Sequence, residues 1–412
     1  MSRRLLTVHN DRVMTALWEN GRITECTVDE RMPAFLGRIY VARVDHIVNS
    51  IGGAFLSAGD NKLYFSLKDN PLPVFVHAQR SECITEGDEI VVQVTKEALK
   101  TKEACAGSEL QISGRYCVIM MEKALKMPKL KVLLSRKISD SVFRKKIVDD
   151  TEILDNVKML YQSVKEKKFN LCVMIRTNAA EVPKEMVLAE IAQNCKELYA
   201  VLEKASYRST GSLLWQPVPA YVSTIRDTSL NMLESIVCDD RNLLEEVKMA
   251  LENSGCAEGL TYSLYEDESY PMCKCYNLEA DIEKALNKQV WLSSGAYLVI
   301  EQTEALAAID VNTGKAVAKH KSESQDDYFY RINKEAAKEI MYQLRLRNLS
   351  GMILVDFISM KDHELEEKLM EELEELARKD SVHTRIVDIT ALGLVEITRK
   401  KIREPLDKQL RV

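Results

Sequence analysis

The chain has 412 residues, 46% of them hydrophobic and 29% charged, with a formal net charge of −6. That size supports two to four domains with ordinary cores, no apolar run reaches the length of a membrane span, and the acidic balance argues against a uniformly basic nucleic-acid surface. The ten cysteines include no Cys-x-x-Cys pair, and no secretory leader follows Met1-Ser-Arg-Arg, so reduced thiols and a cytoplasmic protein are expected.

Residues 1–33 alternate as three strands, Leu5–His9, Arg12–Leu17 and Arg22–Val28, with Asn20-Gly21 as the tight turn between the last two. Nothing nearby supplies a core for this meander, so it is expected to pair with a later segment. Residues 34–116 carry short strands at Ile39–Val44, Gly53–Leu56, Leu63–Leu67 and Asp88–Val94, punctuated by Gly52-Gly53, Gly59-Asp60 and Gly87-Asp88. This spacing predicts a small closed barrel of the OB type. Phe55 and Phe65 are the rings expected on its RNA-binding face, because bases of any identity stack on such rings. For any one phenylalanine in a strand, a core position is the commoner outcome.

Residues 117–213 mix strands and helices. Met121–Val148 concentrates nine Lys or Arg against Glu122 and Asp140, so the negative total is unevenly spread. The apolar strand from Phe169 ends in Arg176-Thr177-Asn178. An arginine fork with a hydroxyl and backbone N–H groups suits a terminal phosphate; a salt-bridged arginine at a strand end accounts for it equally well. Gln216-Pro-Val-Pro219 marks a change of character, and 220–285 read as helices with short strands.

The last block, 286–412, holds two apolar strands that each deliver an aspartate: the run to Ile309-Asp310-Val-Asn312-Thr-Gly314, and Gly351–Asp356. A helical pattern, Tyr330–Arg347, lies between them. A strand, crossover helix and strand give neighbouring parallel strands, so both carboxylates are expected at one edge of one sheet. Converging carboxylates need a cation between them, and Mg²⁺ suits one or two carboxylates plus substrate phosphates. Asn312 shares the face of Asp310 and is placed to orient a carboxylate or a phosphate. Further on, Asp362–Asp380 reads as an amphipathic helix with a leucine stripe and a solvated acidic face.

Other chemistries lack their residues. The six histidines fall in unrelated contexts, without a pair suited to acid–base cleavage. Phosphate-binding glycine loops and a Gly-x-Ser-x-Gly elbow are missing, and Cys273-Lys-Cys275 has no partner pair for a metal.

Three long motifs, in order, resemble the ribonuclease E/G family: Thr303–Gly314, Glu335–Met360 and Ala391–Lys401. Gly53-Ala-Phe55, Phe65, the Lys102 region, Gly114 and Ile175-Arg176-Thr177 extend the likeness upstream. The resemblance implies a multidomain α+β protein. Its parts would be an OB-fold RNA-binding domain at 34–116, a 5′-sensor domain at 117–213, an RNase H-like domain split between 1–33 and 214–285, and a DNase I-like α/β catalytic domain at 286–412. It implies Mg²⁺-dependent endonucleolytic hydrolysis of single-stranded RNA to 5′-phosphate and 3′-hydroxyl ends, in RNA processing (including rRNA processing) or mRNA decay. Asp310 and Asp356 would hold the metal, with Asn312 completing the catalytic set. Gly114, Val118, Arg176 and Thr177 would bind a 5′-monophosphate, and Phe55, Phe65 and Lys102 would guide the RNA. The chain departs from the family in having no Cys-Pro-x-Cys after the catalytic region. Structural zinc is therefore not expected, and any homo-oligomer would form without a zinc link. The competing readings are a non-catalytic RNA-binding protein using the barrel alone, or a metal-dependent phosphodiesterase with another substrate; the intact trio Asp310, Asn312 and Asp356 favours the nuclease over the first, and the rings Phe55 and Phe65 favour it over the second.

Overall fold

The computed structural model describes residues 2–9, 11–32, 34–77, 83–98, 103–124, 126–135, 138, 151–228, 233–253, 259–315 and 324–411. These form two compact units. One comprises Met1–Asp29, Leu230–Leu244 and Leu260–Val412; the other comprises Glu30–Ser229 and Glu245–Gly259.

The second unit contains a closed barrel. Strands Ile39–Val48, Gly53–Ala58, Asn61–Ser66, Ala104–Gly107 and Glu89–Lys96 pair in that order, and the last returns to the first. Numbered along the chain, the order is 1-2-3-5-4-1, the Greek-key closure of an OB-like fold. Alternation within each strand sends Ala54, Leu56, Leu63, Phe65, Val92 and Val94 into the barrel core. The same unit holds a four-stranded sheet in the order Gln111–Ser113, Cys117–Lys123, Phe169–Ile175, Leu130–Leu134. Helices Thr151–Glu166 and Lys184–Ala205 pack against it through Val157, Leu160, Ile191 and Leu198, which belong to the same buried cluster as the strands.

In the first unit, the amino-terminal meander finds its partner. Strands Arg22–Glu30, Arg12–Glu19 and Ser2–His9 are followed in the sheet by Ser235–Cys238 and Thr261–Leu264. The new pairing is parallel, with Arg3 opposite Ser235.

A six-stranded sheet in the same unit has the order Gln289–Trp291, Tyr297–Gln302, Leu306–Asn312, Gly351–Asp356, Val395–Arg399, Thr384–Ile389. Helix Gln325–Leu346 makes the crossover between the third and fourth of these strands, which run parallel. Ser324 starts this helix by accepting a hydrogen bond from the Asp327 N–H. Its residues Ile332, Ala336, Ile340 and Leu344 fall on one stripe and are buried. Asp362 caps His363–Arg378 in the same way, and that helix buries Leu369 and Leu373. Both stripes join Ile309, Val311, Ile353 and Val355 in one core. The helices thus pack on the face that these strand residues present, and the alternate residues face away from that core.

Candidate active site and phosphate pocket

The two predicted carboxylates meet. In the parallel ladder Asp310 lies directly opposite Asp356, and both are exposed. The reason is parity: Ile309 and Val311 point into the helix-covered core, as do Ile353 and Val355, so positions 310 and 356 turn the other way. Asn312, two residues along, donates its side-chain N–H to Asp310 at 2.6 Å. That bond orients the Asp310 carboxylate. Among the described residues, no ion pair offsets either aspartate. Two exposed carboxylates on adjacent strands, one already oriented by an amide, are hard oxygen donors that fit Mg²⁺. No cluster of three or more metal-ligating side chains occurs among the described residues.

The strand carrying Asp356 is fixed at its start by a buried ion pair. Arg399 binds Asp380 at 2.8 Å with both side chains almost wholly enclosed. Arg399 also donates to the carbonyl of Leu349, two residues before the strand, and to the side chain of Asn348. Thr384 and the Val382 N–H complete the shell around Asp380. The motif Val395–Arg399 therefore acts on the site through position rather than by contact.

Beside the aspartates the open face carries two rings. Trp291 pairs across the ladder with Tyr297, and Tyr297 pairs with Asn312. The ring centroids are 5.2 Å apart and tilted by 54°. The turn between them is anchored by Glu335, which accepts from the Ser293 hydroxyl and the Ser294 N–H. Burial raises the Glu335 carboxyl, but these hydrogen bonds outweigh it and leave the pKa below its ordinary value. Gly314 explains the end of the Asp-Val-Asn-Thr-Gly motif. It has φ +53°, and a Cβ there would lie 2.5 Å from the Gly295 carbonyl and 3.0 Å from the Tyr297 ring.

In the other unit, Gly114, Val118 and Arg176 line one cavity of about 900 Å³. Arg176 is already engaged there: it donates to Asp227 at 2.9 Å and to the Gly114 carbonyl at 2.5 Å. Arg226 binds the other oxygen of Asp227. The Glu190 carboxylate accepts the N–H groups of Arg115, Tyr116 and Cys117. A Cβ at position 114 would meet that carboxyl at 2.4 Å, so a larger residue would push Glu190 away from these N–H groups. The Thr177 hydroxyl pairs with Ser135 at 2.9 Å and does not line the cavity. Burial, then the Glu190 carboxylate, pushes the Cys117 thiol well above its usual range, and burial alone raises Cys195 to about 12.

On the barrel, Phe55 is half-buried on the outer surface, in a cavity of about 650 Å³ with Arg43, His46 and Lys62. Phe65 departs from expectation. It is fully buried in the barrel core, because Leu63 and Phe65 share the inward parity of their strand. Its neighbour Tyr64 takes the outward place, opposite Phe55 with rings 5.9 Å apart. Gly53 lets that ring lie across the strand, since a Cβ would sit 2.3 Å from it. Lys102 lies outside the described residues, as does much of the basic stretch after Ser135.

Sequence reasoning missed Tyr64, Asp227, Glu190, Trp291 and Tyr297 as parts of these sites. Strict alternation around Leu63 would have found Tyr64. Aromatics flanking Ser293-Ser294-Gly295 marked the ring pair. Nothing local announced Asp227 or Glu190, which arrive from distant helices.

The Ribonuclease E/G family profile matches residues 111–402. Ribonuclease G of Haemophilus influenzae is 31% identical over 98% of this chain and 81% of that protein. Ribonuclease G of Escherichia coli is 29% identical with the same coverage. Ribonuclease E of Synechocystis is 29% identical over 97% of this chain and 57% of its own length. The described residues contain no helix long and apolar enough to cross a membrane.

Proposed function

Because this chain belongs to the ribonuclease E/G family, we propose that it is a Mg²⁺-dependent endoribonuclease that hydrolyses single-stranded RNA to 5′-phosphate and 3′-hydroxyl ends. One observation carries the reading: Asp310 and Asp356 are register partners on an open sheet face, inside the family-matched segment, with Asn312 bonded to the first. Asp310 and Asp356 would hold the ion, whose chemistry is Lewis-acid activation of water and of the phosphoryl oxygen. Asn312 keeps Asp310 in one orientation, so the carboxylate does not reorganise as charge develops. The exposed sheet face admits an unpaired strand.

The strand orders support the domain readings. The meander sheet runs 3-2-1-4-5, antiparallel then parallel, which supports an RNase H-like domain. The two-layer α/β catalytic region supports the DNase I-like assignment. Phe55 and Tyr64 would stack bases on the barrel, with Arg43 and Lys62 near the phosphates. Arg176 would recognise a 5′-monophosphate by exchanging Asp227 for phosphate oxygens, with Gly114 and Val118 shaping the wall. RNA processing or decay is the cellular role this chemistry serves, in the cytoplasm.

The test is direct. A short AU-rich, 5′-monophosphorylated RNA is incubated with the protein in Mg²⁺ or in EDTA, and product ends are identified. Cleavage in Mg²⁺ alone, leaving 5′-phosphates, is expected. Binding without cleavage in Mg²⁺ would replace the nuclease with an RNA-binding protein, and equal cleavage in EDTA would remove the metal.

A further inference from the structure

We propose that Trp291 and Tyr297 form a stacking platform for the base of a nucleotide adjoining the scissile phosphate, and so help set where the Asp310–Asp356 site cuts. The proposal rests on that site being the hydrolytic centre.

Position is the first argument. The ladder puts Trp291, Tyr297 and Asn312 in one row across the open face, and Val299, Asp310 and Asp356 in another row of that face. Tyr297 is one strand over and two residues along from Asp310, a backbone separation of about 8 Å from ordinary sheet spacings. A base whose phosphate lies at the aspartates reaches that row.

Exposure is the second. Trp291 is 58% exposed, although its ring is the largest apolar group available to this sheet. It stands on the face that the helices leave uncovered. Leaving such a ring in water forgoes burial energy. The rings are also held in place: Glu335 fixes the turn between their strands, and the absence of a side chain at Gly314 makes room for Tyr297.

Charge is the third. Among the described residues, the strands of this face carry Glu301, Asp310, Asp356, Glu396 and Asp388 against Arg385, and Lys288 pairs with Glu301. This local charge repels RNA phosphates. Stacking is an attraction that does not depend on charge and tolerates every base, which makes it the interaction suited to hold RNA here.

The experiment uses a single-site, 5′-monophosphorylated RNA in which each nucleotide in turn is made abasic. For the wild type, one position beside the cut should lower kcat/KM by about 5- to 100-fold. Trp291→Ala should lose the same factor on intact RNA and become indifferent to that abasic position, whereas Trp291→Phe, which keeps a ring, should retain most activity. If Trp291→Ala cleaves intact RNA at the wild-type rate, or stays sensitive to the same abasic position, the platform is wrong. A second readout works without cleavage. In EDTA, the same RNA should quench wild-type tryptophan fluorescence more than that of Trp291→Phe, since Trp18 and Trp215 are common to both. Equal quenching overturns the platform. Wild-type protein that fails to cleave yet shows the quenching difference would sink the hydrolytic reading, and with it the platform's part in choosing the cut, leaving Trp291 as a base-stacking residue only.

Discussion

The Asp310–Asp356 pair and the Arg176 cavity treat charge in opposite ways. Two carboxylates stand side by side on an open face with no cationic side chain among the described residues to offset them. In the cavity, Arg176 and Arg226 already share Asp227, and Glu190 fills a nest of three backbone N–H groups. In the reading proposed above, the first arrangement would take its balancing charge from a bound Mg²⁺. The second is satisfied by itself, so an incoming anion must displace a partner. If both proposed roles hold, one site would require its ligand and the other would discriminate among ligands by exchange.

The largest test of this contrast is charge removal at the first site. Asp310→Asn or Asp356→Asn should lower kcat/KM in Mg²⁺ by about a thousandfold or more, because Lewis-acid stabilisation contributes several kcal/mol. Circular dichroism should show an unchanged fold, as both side chains are exposed. Wild-type activity in either variant would end the metal reading.

A buried carboxylate should behave differently. Asp380 lies enclosed against Arg399. Arg399→Ala should destabilise the protein by about 3–5 kcal/mol, since it strands a buried charge. Urea unfolding measures this, and a loss below about 1 kcal/mol would show that the pair does not hold the Asp356 strand.

At the self-satisfied cavity, Arg176→Ala should reduce the preference for 5′-monophosphorylated over 5′-hydroxyl RNA by about tenfold, the value of a charged hydrogen bond. Asp227→Asn should raise that preference, because Arg176 would then have a weaker competitor. Equal rates on both RNAs in wild type and variants would make Arg176 a structural ion pair only.

On the barrel, Phe55→Ala should weaken single-stranded RNA binding by about fivefold, the low end for one stacked base. Phe65→Ala should instead cost about 3–5 kcal/mol of stability through a core cavity. If the two variants had interchangeable effects, the inward and outward assignments would fail.

The smallest effect concerns the turn beside the aspartates. Glu335 has a lowered pKa in the folded chain, so its contribution is present above its ordinary value of 4.5 and is lost as pH falls through the lowered value. Glu335→Gln should flatten the acid limb of stability against pH. An unchanged limb would mean that the Ser293 and Ser294 bonds do not distinguish the charged form.

Periodicity and chain order alone determined the barrel, the meander in need of a partner, the crossover helix and the convergence of Asp310 with Asp356. Each follows from local alternation, turn residues and the handed rule for parallel strands, which act over short stretches. Tertiary structure decided the rest. It turned Phe65 inward and Tyr64 outward, since the closed barrel has one inside and parity must choose. It also brought Asp227 and Glu190 to Arg176 and Gly114 from sequence separations of 51 and 76 residues. Charge compensation of that kind depends on which helix packs where, and no local pattern in the chain encodes it.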